Sequence, residues 1–125
     1  MSNDNAKSIK RVFDLEERTA KFGEAAVRFA KGVRSTVVTN PIIAQLVRSA
    51  TSIGANYCEA NDSESKKDFR HKIALCRKES RETKHWLRML VAAVPELAPE
   101  ARKLWVEAKE LNLIFSSIIR QAQKP

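Results

Sequence analysis

Apolar residues recur along most of this chain at alternating intervals of three and four. The clearest run is Ile43, Leu46, Ala50, Ile53, Tyr57 and Ala60. A second run, Phe69, Ile73, Cys76, Ser80, Thr83, Leu87, Leu90 and Val94, keeps the spacing while admitting small polar side chains. A third comprises Ala101, Leu104, Ala108, Leu111, Phe115, Ile118 and Ala122, and the chain's opening offers Leu15, Phe22, Ala26, Phe29, Val33 and Val37. Alternating threes and fours average about 3.5 residues per repeat, which keeps one seam of a helix facing a partner at a shallow crossing angle.

Local signals divide the runs. Asn40 before Pro41 reads as an N-cap followed by proline at the first helical position. Ser65 with Asp68 resembles a capping box, and Pro99-Glu100 opens a last helix with an acid in its first turn. The pattern predicts helices near 14–37, 41–60, 65–93 and 99–123. Pro41, Pro95 and Pro99 interrupt the chain too often for one long coiled coil. Four seams joined by short loops imply an all-α fold, an antiparallel up-down-up-down four-helix bundle. It would form a single domain over residues 1–125, with 1–12 as a loosely ordered N-terminal segment. Of the apolar residues off the seams, Trp86 and Trp105 are expected to widen the core. Leu75, Val106, Leu113 and Ile114 suggest a second buried face and hence an oligomer.

Composition narrows the class. At 125 residues with 43% apolar and 30% charged side chains, the chain can bury a core and is no disordered tail. It has no apolar run of about 18 residues that could span a bilayer, and no apolar stretch marks a signal peptide. Cys58 and Cys76 are too few for a disulfide framework and read as buried, reduced thiols. A cytoplasmic protein with no membrane role is the expectation.

Charge adds a direction. The net +8 is uneven: residues 63–95 carry +5, 21–40 carry +3, and 96–125 only +1. Arg70, Arg77, Arg81, Lys84 and Arg88 recur at intervals that place them on one flank of the third helix, a stripe about 27 Å long at 1.5 Å per residue. Lys67, His71, Lys78 and His85 form a weaker row beside it, and Lys21, Arg28, Lys31 and Arg34 add charge on the first helix. Such a stripe suits the phosphates of RNA or DNA, bound without base specificity and with strong salt dependence. The plainer alternative is a solubilising surface laced with pairs such as Lys78–Glu82.

The second helix carries Gln45, Ser49, Ser52, Asn56 and Glu59 one residue behind its apolar seam, with Arg48 nearby. Small and amide side chains at helical spacing suit a helix–helix or subunit contact, with Arg48 and Glu59 as charge-paired ends. Candidate chemistry is thin. Glu82 and His85 form one Glu-x-x-His pair, whereas a dimetal bundle site needs two such pairs and further inward glutamates. No base is placed beside either cysteine, and Gly23, Gly32 and Gly54 are read as helical and not as a phosphate loop. No enzyme activity, cofactor or metal is expected.

The stretch from Gln45 to Asn56, QLVRSATSIGAN, followed by Glu59-Ala60, resembles the central motif of the bacterial four-helix bundle proteins encoded in intervening sequences of 23S rRNA genes. Ser65-Lys66-Lys67-Asp68-Phe69 and the stretch from Lys78 to Arg88 are similar to that family's next turn and third helix. Gly54 stands where proline is usual, which predicts a straighter second helix. The resemblance implies a ring-shaped homopentamer. It also implies kinship with the accessory variability determinant of diversity-generating retroelements, a basic pentamer that binds a reverse transcriptase and nucleic acid. On the family's motif, Gln45, Arg48, Ser52, Asn56 and Glu59 fall at structural positions. The functional expectation is a non-enzymatic oligomeric scaffold that binds nucleic acid as an accessory to a reverse transcriptase; the alternative is a purely structural protein–protein interaction module.

Overall fold

The computed structural model describes residues 3–123, with side chains from Asp14 onward. Four long helices follow in order: α1 Asn3–Lys31, α2 Thr39–Asn61, α3 Lys66–Ala93 and α4 Ala98–Ala122, with a short 3-10 turn at Pro95–Leu97. No strand occurs among the described residues. The side chains of the N-terminal segment 1–12 lie outside the described residues, and α1 begins at Asn3 instead of near residue 14.

The first loop departs from its expected place. The spacing of Val33 and Val37 predicts that the first helix continues through Gly32, but α1 ends at Lys31 and Gly32 forms the turn beyond it. Nor does Asn40 cap α2. Thr36 and Thr39 cap it reciprocally: the Thr36 hydroxyl accepts from the Thr39 amide at 3.0 Å, and the Thr39 hydroxyl accepts from the Thr36 amide at 3.0 Å. The Asn40 amide already donates to the Thr36 carbonyl at 3.0 Å, so helical bonding starts ahead of Pro41, which is not the first helical position. Val37 is left 92% exposed at the loop tip. The cap of α3 follows expectation, with the Ser65 hydroxyl accepting from the Asp68 amide at 3.0 Å.

The seams converge on one core. Leu15, Phe22 and Ala26 of α1 join Leu46, Ile53 and Tyr57 of α2, Ile73, Leu87 and Leu90 of α3, and Leu104, Leu111 and Phe115 of α4. Each large side chain so buried favours folding by about 1.5–3 kcal/mol over its exposed state. The polar seam residues Ser49, Ser80 and Thr83 are also buried, and each finds a partner. Ser80 donates to the Cys76 carbonyl, and the Thr83 hydroxyl lies 3.0 Å from that of Ser49. Their small size lets α2 and α3 approach without leaving buried groups unsatisfied.

Neighbouring helices pack in chain order, and α1 also meets α4, more sparsely. Glu16 is bonded by Asn61, and Gly23 lies against Thr51; Arg48 lies opposite Glu79 and Glu59 opposite Lys72; Arg77 is bonded by Asn112 and Lys84 lies at Trp105. In all three pairs residue numbers rise along one helix as they fall along the next. α2 runs unbroken through Gly54, where a Cβ would stand 3.4 Å from the Thr19 hydroxyl.

Of the two cysteines expected to be buried, one is. Cys76 is buried, but Cys58 is exposed. Ile114 packs, partly buried, against the core, while Leu75 is half-buried and Val106 and Leu113 stay 42% and 58% exposed. Trp86 and Trp105 do pack against the core.

Candidate functional site

α3 has two chemically opposite flanks. The flank towards α2 carries its acids. Glu79 and Glu82 both receive Arg48, whose guanidinium donates to Glu82 at 2.7 Å and to Glu79 at 3.2 Å, and to Gln45 at 3.2 Å. These contacts raise the Arg48 pKa above the ordinary guanidinium value, the hydrogen bond to Glu82 foremost. At the other end Lys72 donates to Glu59 at 2.7 Å, and that bond raises the lysine's pKa. The Arg48 and Glu59 ends are therefore charge-paired within the chain, across the α2–α3 contact. Ser52 and Asn56 of the same stripe bond back to the carbonyls of Arg48 and Ser52. The expected Lys78–Glu82 pair is not among the ion pairs of the described residues, because Glu82 turns to Arg48.

The opposite flank, towards α4, carries Arg70, Arg77, Arg81, Lys84 and Arg88. Two contacts fix its orientation: the Lys84 ammonium lies 5.4 Å from the Trp105 ring centre, and Asn112 donates to the Arg77 carbonyl at 3.0 Å. Arg81 and Arg88 are exposed; Arg70, Arg77 and Lys84 are half-buried. Long basic side chains can lie along apolar surface in this way while their heads reach water.

α4 extends this surface, which the charge sums had hidden. Arg102, Trp105, Lys109, Asn112 and Ser116 follow at three and four, and Arg120 continues the row. Lys109, like Lys84, lies over the Trp105 ring, 5.6 Å from its centre. The acids of α4 point elsewhere. Arg18 of α1 holds Glu107 through two bonds of 2.7 Å and Glu110 through one of 2.9 Å, and the first of these partners is the main reason its pKa is raised. Glu100 pairs with Lys103. Among the described residues, none of Arg70, Arg77, Arg81, Lys84, Arg88, Arg102, Lys109 and Arg120 has a carboxylate within an ion-pair distance. A helical-wheel separation of Arg102, Lys109 and Arg120 from Glu107 and Glu110 was the available signal for the α4 contribution.

The remaining candidates do not join this face. Arg28 and Lys31 line an outer groove between α1 and α2, and Lys21 pairs with Glu17 at 3.8 Å. His85 contacts the Trp86 ring edge-on, and no group of three metal-ligating side chains converges among the described residues. Cys76 donates weakly to the Ile53 carbonyl, and burial pushes its thiol up to about 12. None of the helices of the described residues is long and apolar enough to cross a membrane.

The family model for the 23S rRNA-intervening sequence protein matches residues 13–117. Among solved structures, a protein of unknown function from the S23 ribosomal protein family of Bacteroides thetaiotaomicron superimposes with a TM-score of 0.74. It is 29% identical, and the match covers 83% of this chain and 96% of that one. None of the curated proteins compared with the chain matches it.

Proposed function

The chain belongs to the 23S rRNA-intervening sequence protein family, and we propose that it acts as a non-enzymatic scaffold whose α3–α4 face binds nucleic-acid phosphates without sequence specificity. One observation carries this reading: the cations of that face lack carboxylate partners, while Arg18 and Arg48 elsewhere are fully engaged. A solubilising surface would intersperse both signs. Unpaired cations in two parallel rows instead match a linear polyanion, and counterion release makes such binding fall steeply with salt.

The proposed architecture is an antiparallel up-down-up-down four-helix bundle, supported by the opposed numbering across the three successive helix pairs. The proposed assembly is a homopentamer in the cytoplasm, supported by the family resemblance and by the exposed Val106 and Leu113. Either RNA or DNA fits the face, and a reverse transcriptase is the proposed protein companion.

Fluorescence anisotropy with labelled RNA and DNA, titrated with salt, tests the binding. Binding at low salt that weakens steeply supports the proposal; no binding at low salt overturns it and leaves the purely structural interaction module. The mass in solution, measured with and without RNA, tests the assembly, and a monomer overturns the pentamer.

A further inference from the structure

We infer that the α3–α4 face takes single-stranded nucleic acid in preference to duplex, seating one unstacked base beside Trp105; this rests on the nucleic-acid reading above and specifies its substrate. Where the end of α3 meets the start of α4, an open groove of about 390 Å³ is lined by Leu87, Arg88, Val91, Ala98, Ala101, Arg102 and Trp105. Its walls divide by chemistry. Leu87 and Ala101 are buried and, with Val91 and Ala98, form an apolar surface; Trp105 is half-buried beside them. Arg88 and Arg102, both exposed, flank it from opposite helices.

A duplex presents phosphates but keeps its bases stacked, so it would meet the cations and leave the apolar groove empty. A single strand offers both chemistries in one unit: a flat apolar base and a phosphate on either side. Groove and ligand are also matched in size, since small-molecule sites begin near 300 Å³. Stacking on an aromatic ring is tolerant of sequence because every base has a π-face. Lys84 and Lys109 lie over the Trp105 ring, at 5.4 and 5.6 Å from its centre, so a stacked base takes the place of one flexible ammonium, which swings out to the adjoining phosphate.

The test uses the full chain with a short oligothymidine and a duplex of equal length. In a W86F variant Trp105 is the sole tryptophan, and its fluorescence is expected to be quenched on saturation by the single strand and unchanged by the duplex. W105L is expected to weaken single-strand binding by about fivefold or more, the low end of a stacked base's contribution. Duplex affinity should hold, and W105F should restore most of the loss. Salt-dependent binding of both probes with no quenching, or an equal effect of W105L on both, overturns the single-strand assignment and leaves phosphate binding standing. If neither probe binds at low salt, both proposals fall.

Discussion

The two faces of α3 use the same kinds of residue to opposite ends. Towards α2, each charge is matched: Arg48 with Glu79 and Glu82, Lys72 with Glu59, and between them a layer of buried hydroxyls. Towards α4, arginines and lysines stand in two rows with no acid among them, around a tryptophan. Net charge alone would not distinguish the regions. What distinguishes them is where the acids lie, because a carboxylate within reach converts a free binding group into a structural one.

That contrast makes the largest expected effect a matter of affinity. The R81E/R88E/R102E variant should lose about a hundredfold or more in nucleic-acid affinity at low salt, with the log–log salt slope shallower by about 0.7 per phosphate contact removed on a single strand and about 0.9 on duplex DNA. Its urea midpoint should hardly move, since exposed charges without partners contribute little to folding. If stability falls as sharply as affinity, the face is structural and the distinction collapses.

Arg48 should behave in the reverse manner. R48A leaves the Glu79 carboxylate, only 10% exposed, without its cation. Breaking a fully buried pair costs about 3–5 kcal/mol; with Arg48 itself half exposed, about 2 kcal/mol is expected in urea unfolding. Nucleic-acid affinity should stay within about twofold, and R48A/E79Q should recover part of the loss.

Cys76 supplies a pH test of the dry α2–α3 side. Its folded thiol titrates near 12 against an ordinary value of 9.0, so the unfolded chain loses this proton first. Cys76 therefore contributes stability that is complete below pH 9.0 and is lost as the pH rises towards 12. Replacement by Ala should flatten that decline. A thiol reagent should modify the exposed Cys58 in the native state and reach Cys76 only on unfolding.

The smallest effect concerns α1 and α2. A Cβ on Gly23 would meet Thr51 and Ala50 atoms at 3.6–3.7 Å, ordinary contact distances. Exchange of a helical glycine for alanine should then stabilise the protein by about 0.5–1 kcal/mol, read as a higher thermal midpoint.

Much of the fold was legible because burial imposes a period. Leu46, Ala50, Ile53 and Tyr57 lie in the core as their spacing predicts, as do Ile73, Leu87, Leu111 and Phe115. The same rule misassigned Val37, whose spacing continued the first seam across a turn that the Thr36–Thr39 cap had already made. Periodicity reports a repeat and is blind to the local hydrogen bonds that end it.

The site was half legible. Arg77, Arg81, Lys84 and Arg88 stand out on α3 by spacing alone, whereas Arg102, Lys109 and Arg120 were masked by four acids in the same segment. A sum over a segment mixes the two sides of one helix, and only side matters for pairing.

By itself, the sequence determined the helices, the inward seams and the basic stripe of α3, because each follows from neighbours three and four residues apart. Tertiary structure alone decided which cations remain free. That choice depends on Arg18 reaching Glu107 and Arg48 reaching Glu79, partners 89 and 31 residues away along the chain. It also brought Trp105 to Lys84 and opened the groove between α3 and α4. Pairing is a property of distance in space, and local spacing carries no record of it.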